Sequence, residues 1–414
     1  MRLSLRRPLC AALAVLCLVL SLRSAAPADA AFTQWLATLW PDAQASGISR
    51  ATFDLATRGL EPDLTLPDLD LPGRQVPPPG QAEFVQTPAD YIKEASIARL
   101  AEEGRRLAKE HQATLAEIER EYGVPGNVLL AIWGRETDFG RYQLPKNGVR
   151  VLATQAYYGK RKDFFRKELL LALQMLEEGD VKLADMRSSW GGAMGLTQFL
   201  PSEFYKYAVA FKHTGRPDIW GSVPDALASA AKQLLDKGWQ PRLRWAYEVH
   251  APRDVDCTRA VPEVTQPLGD WLKQGYATAY RRVPTAADLA APASLLLPEG
   301  TYGPAFLTLP NYYVIKEYNF SDLYVLFVGH LSEAISDPRP FETPWSKNSQ
   351  LRTAEVEAMQ RMLTKLGIYK DKIDGKAGML TRAALGAYQK ANALKTDCWP
   401  TAALLAHMQA ATGR

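Results

Sequence analysis

The chain has 414 residues, of which 47% are hydrophobic and 23% are charged, as in ordinary soluble globular proteins. This length exceeds what one hydrophobic core usually fills, so we expect two or three folded units. The formal net charge of +4 falls to +1 without residues 1–30, because four arginines and one aspartate are lost with them. A nearly neutral mature protein gives no support for nucleic acid as a partner.

The N-terminus has the features of an export signal. Three arginines precede an apolar run over residues 8–22, and Ala28-Asp29-Ala30 forms the small-x-small pattern that signal peptidase cuts. The run is shorter than the roughly 20 apolar residues of a spanning helix, which disfavours a membrane anchor. We therefore predict a signal peptide over residues 1–30, cleavage after Ala30 and a periplasmic location.

Two cysteines, Cys257 and Cys398, remain after this cleavage. One long-range disulfide is open to them in an oxidising compartment. No cysteine motif surrounds either residue, so they form neither a disulfide framework nor a metal site. We expect two unpaired, structural cysteines.

Helical periodicity dominates the first part of the mature chain. Residues 31–58 have Phe32, Trp35, Leu36 and Leu39 on one helical face, and a proline-rich stretch over residues 60–81 then forces extended chain. One long helix or a helix pair covers residues 90–122. Further helices are predicted over residues 125–137, 163–178 and 223–235.

The second part of the chain has a minor β element and a separate end. Strand-like patterns cover residues 244–250 and 312–318. Three prolines then punctuate residues 336–350, and helical periodicity resumes at residue 354. The sequence predicts a mainly α (α+β) domain over residues 31–336, a linker over 337–351, and a C-terminal domain over 352–414 with a compact three-helix core.

One carboxylate stands on an apolar helix face. Leu129, Ile132, Trp133 and Glu136 recur at the i, i+3, i+4 and i+7 positions. A carboxylate placed there loses hydration, so its pKa is expected to rise towards the value that a general acid needs near neutral pH. A lone helical glutamate is more often paired with a neighbour such as Arg135, or exposed, than catalytic. This pattern alone is therefore a weak signal.

A glycine-rich segment over residues 188–202 offers polar and aromatic groups together. Its glycines let backbone approach a bulky ligand, although they would equally suit tight helix packing. Ser189 and Gln198 supply a hydroxyl and an amide that suit sugar hydroxyl and acetamido groups. Trp190 and Phe199 favour a carbohydrate groove, because sugars present CH faces to aromatic rings.

Residues 309–321 concentrate tyrosines and asparagines around a short apolar run. If the run is a strand, Tyr312 and Tyr313 lie on opposite faces of it. A core position with a hydrogen-bonded hydroxyl is the commoner outcome for a buried tyrosine.

The sequence contains no motif for a metal site, a nucleotide site or a covalent serine or cysteine mechanism. The five histidines are scattered, and neither a phosphate-binding Gly-Lys motif nor a Cys/His ligand spacing is present. A covalent serine or cysteine mechanism has no base nearby in the sequence. We predict neither a cofactor nor a metal, and a monomer.

Four motifs follow one another in order: Tyr122-Gly-Val-Pro, Ala131-Ile-Trp-Gly-Arg-Glu-Thr, Ser189-Trp-Gly-Gly-Ala-Met-Gly and Gln198-Phe-Leu-Pro-Ser. Together they resemble the B-type lytic murein transglycosylases over nearly the whole mature chain. The resemblance implies a lysozyme-like helical catalytic domain in which Glu136 is the catalytic acid/base. The residues that it places at the substrate are Lys160, Arg161, Ser189, Gln198, Tyr313, Tyr318 and Asn319.

One segment departs from that family. Its members often carry an acidic loop resembling a calcium site after the Gln-Phe-x-Pro-Ser motif, but here Asp218 is the only acid over residues 211–220. Calcium takes about six to eight oxygen ligands, several of them from carboxylates. The departure supports the prediction of no metal.

The C-terminal segment resembles the three-helix peptidoglycan-binding domain. The resemblance is carried by Leu366-Gly-Ile-Tyr, Ile373-Asp-Gly-Lys-Ala-Gly and Thr381-Arg-Ala-Ala-Leu. By themselves, Asp374 and Gly375 read equally well as a purely structural turn. The implied partner is the glycan strand of peptidoglycan.

The resemblance implies cleavage of the β-1,4 bond between N-acetylmuramic acid and N-acetylglucosamine, with a 1,6-anhydromuramyl product. One carboxyl group suffices because the nucleophile is the substrate's own C6 hydroxyl, whereas most glycosidases flank the bond with two. Glu203 and Asp138 are the nearest rivals for a second acid, which would make the enzyme a hydrolytic, lysozyme-type muramidase. A non-catalytic peptidoglycan-binding scaffold is the other alternative, and the intact motif around Glu136 argues against it.

Overall fold

The computed structural model describes residues 29–71, 86–349 and 351–411. Helices predominate in these ranges and the strands are short, which confirms the mainly α fold class. The predicted signal peptide lies outside the described residues as far as residue 28. No helix in the described ranges is long and apolar enough to cross a membrane.

The first part of the chain is helical up to residue 236. Its helices are α1 (Ala30–Thr38), α2 (Trp40–Ala45), α3 (Arg50–Thr57), α4 (Pro88–Tyr91), α5 (Glu94–Glu110), α6 (Gln112–Tyr122), α7 (Gly126–Thr137), α8 (Gly148–Tyr158), α9 (Lys162–Glu178), α10 (Pro201–Tyr207) and α11 (Val223–Asp236). Two short strands, β1 (Lys146–Asn147) and β2 (Arg187–Ser188), pair antiparallel between them. Residues 90–122 form a helix pair rather than one long helix. The helices predicted over residues 125–137, 163–178 and 223–235 match α7, α9 and α11.

Helix α7 lies at the centre of the main core, because apolar or small residues cover almost all of its faces. It packs against α5 and against α15 (Asp322–Ser336). Gly104 lets α5 and α15 approach closely, since a Cβ there would lie 2.7 Å from Cδ1 of Ile335. The last turn of α7, which carries Glu136, is therefore held by a tightly packed scaffold.

A second core forms where α1, α2 and α3 pack on α8 and α9. Phe32, Leu36 and Leu39 are buried in or beside it and Trp35 is partly buried, so the predicted apolar face of the first helix is confirmed. Asp29 begins α1 by accepting a hydrogen bond from the backbone N–H of Phe32 at 3.0 Å.

A region with short strands follows the helices. It comprises β3 (Ala246–His250), β4 (Thr265–Pro267), α12 (Leu268–Lys273), β5 (Ala277–Thr278), α13 (Ala286–Ala290), β6 (Pro292–Leu296), β7 (Pro298–Thr301) and β8 (Ala305–Thr308). Five of these strands form an antiparallel sheet in the order β4-β6-β8-β3-β5. Strand β3 confirms the strand predicted within residues 244–250.

The strand predicted over residues 312–318 is wrong. The chain forms helix α14 (Pro310–Lys316) there, and Pro310 occupies its first position, where no backbone donor is needed. Tyrosine and β-branched residues favour strands on average, but that preference is weak and packing overrides it. Here Tyr312 and Ile315, three residues apart, are both buried, as one helix face requires.

The C-terminal domain has the predicted three-helix core. Helices α16 (Thr353–Lys365), α17 (Met379–Ala391) and α18 (Ala402–Ala411) bury Met359, Leu363, Leu385 and Met408 between them.

The expectation of two unpaired cysteines is wrong, because Cys257 and Cys398 form a disulfide with an S–S distance of 2.00 Å. The bond links the sheet region to the C-terminal domain across 141 residues. Nζ of Lys390 lies 2.6 Å from Oδ1 of Asp256 at the same interface. The pairing depends on how the two parts dock, which no local cysteine spacing reveals.

Candidate active site

Glu136 is half-buried in the last turn of α7 and accepts a hydrogen bond from Tyr324. The hydroxyl of Tyr324, on the first turn of α15, lies 2.5 Å from Oε1 of Glu136. Burial, together with the negative charge of Glu136, raises the pKa of Tyr324 well above its usual value. Tyr324 therefore stays protonated and acts as the donor in this bond.

Arg135, the neighbour that offered an alternative partner for Glu136, is engaged with two aromatic rings. Its Nη2 donates a hydrogen bond to the hydroxyl of Tyr91 at 2.5 Å. The guanidinium carbon lies 4.8 Å from the ring centre of Tyr91 and 5.1 Å from that of Phe327. Through these contacts Arg135 links α7 to α4 and α15.

The end of α7 is fastened to the glycine-rich segment. Oγ1 of Thr137 donates to the backbone oxygen of Leu196 at 2.8 Å and accepts from the N–H of Gly140 at 3.1 Å. Asp138 then ends the helix in the left-handed conformation, with φ at 49°. These bonds fix Glu136 and the glycine-rich segment at a constant separation.

Tyr318 lies beside the same pair of residues. Its hydroxyl donates to the backbone oxygen of Thr197 at 2.5 Å, and its ring stacks parallel to that of Tyr324 with ring centres 6.5 Å apart. Burial and the charge of Glu136 raise the pKa of Tyr318 well above its usual value. The structure thus brings Tyr318, predicted from the sequence, together with Glu136.

Ser189 and Gln198 are half-buried on the segment that Tyr318 and Thr137 contact. The backbone N–H of Ser189 donates to the oxygen of Ala193 at 2.8 Å, and Nε2 of Gln198 donates to the oxygen of Gly195 at 2.9 Å. Gln198 itself has a positive φ of 61°. Gln198 directly follows Thr197, whose backbone oxygen accepts the hydrogen bond of Tyr318, and Ser189 lies at the other end of the same tightly folded loop.

Two neighbouring glycines of this loop differ in the space around their Cα atoms. Gly192 has φ at 87°, and a Cβ there would lie 2.3 Å from Cδ2 of Leu152. Gly191 has only the hydroxyl of Ser189 within 4 Å of such a Cβ, at 3.9 Å. Packing therefore requires Gly192, whereas Gly191 borders open space next to Ser189.

Three other predicted site residues, Asn319, Lys160 and Arg161, belong to other segments of the chain. Asn319 follows Tyr318 and accepts from the backbone N–H of Ser321 at 3.2 Å. Lys160 and Arg161 are exposed before the start of α9, and Arg161 lies 4.7 Å from the ring centre of Phe164.

The structure places Tyr313 in different surroundings. Its hydroxyl lies 3.4 Å from Oγ1 of Thr308 at the end of β8. Tyr313 also lines an open cavity of about 770 Å³ together with Lys237 and Glu317. Residues 310–316 form a helix rather than a strand, and the hydroxyl of Tyr313 contacts the sheet region.

Sequence reasoning missed Tyr324 and Thr197. A helix-start signal was available for Tyr324, since Ser321 caps α15 and Asp322 is acidic in its first turn. That signal would have placed Tyr324 one turn inside a helix that follows Tyr318. No comparable signal exists for Thr197, whose buried Oγ1 has no hydrogen-bond partner in the described part of the chain.

The two rival acids are engaged in structural contacts. Oε2 of Glu203 accepts from the backbone N–H of Leu200 at 2.9 Å, and its Oε1 accepts from Gln233 at 3.0 Å. Burial raises the pKa of Glu203. Asp138 forms an ion pair with Arg99 at 2.9 Å.

The loop over residues 211–220 is organised by a buried aspartate. Asp225 accepts hydrogen bonds from the backbone N–H groups of Phe211 at 3.1 Å and Asp218 at 2.9 Å. Nε2 of His213 lies 2.9 Å from the same carboxylate. Among the residues that the structure describes, no three His, Cys, Asp or Glu side chains are grouped so that they could hold a metal ion.

The chain matches two domain families. Residues 31–333 match the family described as the transglycosylase SLT domain. Residues 352–408 match a peptidoglycan binding domain. Among curated proteins, membrane-bound lytic murein transglycosylase B of Escherichia coli K12 is 29% identical over 288 residues, which cover 67% of this chain and 74% of that protein.

Solved structures agree with these matches. SltB3 from Pseudomonas aeruginosa in complex with NAG-anhNAM-pentapeptide is 36% identical, with a TM-score of 0.82, covering 91% of this chain and 99% of that chain. The same protein in complex with NAG-NAM-pentapeptide is 35% identical, with the same coverage and a TM-score of 0.81. The Escherichia coli lytic transglycosylase Slt35 in complex with calcium is 26% identical, with a TM-score of 0.51, covering 61% of this chain and 78% of that chain.

Proposed function

The chain belongs to the transglycosylase SLT domain family, and from this membership we propose that Glu136 is the residue with which it cuts peptidoglycan. The enzyme is a lytic murein transglycosylase: it cleaves the β-1,4 bond between N-acetylmuramic acid and N-acetylglucosamine and leaves 1,6-anhydromuramyl ends. The observation that carries the role of Glu136 is the Tyr324 hydroxyl 2.5 Å from its Oε1, inside a half-buried site.

In the first step, protonated Glu136 gives its proton to the glycosidic oxygen. The C1–O bond breaks, the N-acetylglucosamine unit leaves with a hydroxyl group, and positive charge develops at the muramyl C1. In the second step, the C6 hydroxyl oxygen of the same muramyl unit attacks C1 and its proton passes to the Glu136 carboxylate. The anhydro ring is closed and Glu136 is protonated again.

Tyr324 serves this cycle by acting on Glu136. Its hydroxyl orients the carboxyl group and stabilises the carboxylate that exists between the two steps, because a hydrogen bond to the charged form favours that form. Tyr318 donates a hydrogen bond to Thr197 and stacks on the ring of Tyr324, which keeps Tyr324 in place.

A single acting carboxyl group favours transglycosylation over hydrolysis. A hydrolytic, lysozyme-type site needs a second carboxylate across the bond. Glu203 accepts hydrogen bonds from Leu200 and Gln233, and Asp138 forms an ion pair with Arg99. Both rival acids therefore make structural contacts.

For substrate contacts we propose the half-buried polar side chains of the loop and the exposed basic pair. Ser189, Gln198 and Asn319 would bind sugar hydroxyl and acetamido groups. Lys160 and Arg161 would bind acidic groups of the muropeptide. Tyr313 stays in this proposal on the family resemblance alone, because its observed hydrogen-bond contact is with Thr308.

The predicted location and domain bounds are also proposals. The Cys257–Cys398 disulfide suits an oxidising compartment such as the periplasm, which supports export by the signal peptide of residues 1–30. We retain the catalytic domain over residues 31–336, the linker over 337–351 and the wall-binding domain over 352–414, in a monomer without a metal.

The test is digestion of purified peptidoglycan followed by mass spectrometry of the soluble products. Wild-type enzyme should release fragments with anhydromuramyl ends, and Glu136→Gln should release none above background. Glu203→Gln is the matched control and should keep anhydro products. Activity surviving in Glu136→Gln would remove Glu136 from its role, and reducing ends from the wild type would indicate hydrolysis.

A further inference from the structure

A cavity of about 370 Å³ lies between the start of α15 and the C-terminal domain. Lys316, Phe320 and Asp322 line it from one side, and Arg382 and Trp399 line it from the other. Its volume falls within the roughly 300–1,000 Å³ of ordinary ligand sites. The Cys257–Cys398 disulfide holds the C-terminal domain, which forms one of these sides, to the sheet region.

Two buried hydrogen-bond donors belong to the residues of this wall. Nη2 of Arg382 and Nε1 of Trp399 are buried without a hydrogen-bond partner, and the residues are only 8% and 3% exposed. Nη1 of Arg382 is satisfied, since it donates to the backbone oxygen of Ala377 at 2.5 Å. A buried donor without a close acceptor is unfavourable, so a ligand that supplies an acceptor to these two groups would be stabilised in the cavity.

The charges around Asp322 also leave room for an anion. Oδ1 of Asp322 accepts from Nζ of Lys316 at 2.5 Å and from the hydroxyl of Tyr312 at 2.8 Å. Nη2 of Arg382 lies 3.5 Å from Oδ2 of the same carboxylate, farther than a good charge-assisted hydrogen bond. Two cations thus share one anion, and a second carboxylate would complete the group.

Acidic side chains also line the cavity. Asp371 and Asp374 are exposed in its lining, which includes the 75% exposed ring of Phe320 as well. A ligand that carries both a carboxylate and an ammonium group would match both kinds of charge in this cavity. The stem peptide of peptidoglycan has this chemistry, whereas the neutral part of the glycan does not.

We propose that this cavity binds the C-terminal carboxylate of a peptidoglycan stem peptide through Arg382 and Trp399. The inference rests on the proposed function, because the peptide arrives attached to the polymer that the enzyme cuts. The cavity is close to the catalytic residue along the chain, since Asp322 precedes Tyr324 by two residues in the first turn of α15.

The proposal is tested by calorimetric titration of the full, disulfide-bonded Glu136→Gln protein, which binds without turnover. The probes are a synthetic stem pentapeptide with a free C-terminal carboxylate and the same peptide as a C-terminal amide. The free carboxylate should bind about tenfold or more tightly than the amide, because charge-assisted hydrogen bonds are lost with the charge. Equal affinities, or no binding of either peptide, would overturn the proposal.

Variants locate the site of binding. Trp399→Phe keeps the ring and removes the Nε1 donor, and Arg382→Lys keeps the charge and removes the planar fork. Each should weaken binding of the free carboxylate severalfold, with an unfolding temperature measured alongside. Arg361→Lys is the matched control, because Arg361 is 64% exposed on α16 and pairs with Glu357. If Trp399→Phe, which is expected to fold, binds as tightly as the control, the cavity is not the site. These binding results are independent of the product analysis that tests Glu136.

Discussion

Asp322 and Tyr324 lie two residues apart in the first turn of α15, and each contacts a different functional part of the molecule. Asp322 faces Arg382 of the C-terminal domain, while Tyr324 donates its hydroxyl to Glu136. One helical turn thus contacts both the C-terminal domain, through Asp322, and the catalytic Glu136, through Tyr324.

Tyr324→Phe should lower kcat by about tenfold and move the alkaline limb of the pH profile to higher pH. The change removes a hydrogen bond that favours the carboxylate form, so Glu136 keeps its proton to higher pH and its carboxylate is less stabilised between the two steps. The measurements are kcat and kcat/KM against pH on soluble glycan fragments. Tyr313→Phe serves as the control and should leave the profile in place. An unchanged profile for Tyr324→Phe would show that the bond has no catalytic role.

Gly192→Ala should destabilise the protein by about 2–4 kcal/mol, because a Cβ would strain a positive φ and overlap Leu152. Gly191→Ala, one residue earlier, should change the free energy of unfolding by less than about 0.5 kcal/mol. Urea denaturation of the two variants makes the comparison. Equal losses of stability would contradict the different packing of the two glycines.

Loss of the disulfide should cost about 2–5 kcal/mol of unfolding free energy, because the bond closes a loop of 141 residues. The double variant Cys257→Ser/Cys398→Ser and the reduced wild-type protein should lose similar amounts, measured by denaturation with and without reductant. A reductant effect in the double variant would point to another cause. If oxidised and reduced wild-type protein were equally stable, the bond would have no part in holding the C-terminal domain.

The buried carboxyl group of Glu203 should make stability depend on pH. Burial raises its pKa in the folded state, so its contribution is most favourable below the usual pKa of a glutamate and is lost as pH rises through the folded-state pKa. Glu203→Gln removes this dependence. The stability of wild type relative to Glu203→Gln should therefore fall as pH rises from the usual pKa of a glutamate towards neutral pH. Urea denaturation at several pH values tests this, and a rise over that interval would have the wrong sign.

The elements that sequence reasoning identified are those with a long, continuous apolar period. Helices α7, α9 and α11 have such periods, and they were predicted nearly to their ends. Glu136 was found because it shares the apolar face of one of them. A pattern of this length constrains the local structure strongly enough that distant contacts need not be known.

The features that were missed depend on contacts between distant segments. Residues 312–318 alternate like a strand over a span too short to distinguish it from a helix. The Cys257–Cys398 pairing and the partnership of Tyr324 with Glu136 join residues 141 and 188 positions apart. Nothing near either residue in the sequence indicates its partner, because only the folded chain creates the proximity.

The bonds between the sheet region and the C-terminal domain have a consequence for movement on the cell wall. A binding domain on a loose tether would let a stationary enzyme sample many neighbouring strands. Here the disulfide and the Lys390–Asp256 ion pair join the two parts, so the wall-binding domain and the catalytic domain move together. The distance between the wall-binding surface and the catalytic residue is then fixed by the structure. To cut at another distance from its binding point, the whole enzyme must dissociate and bind again.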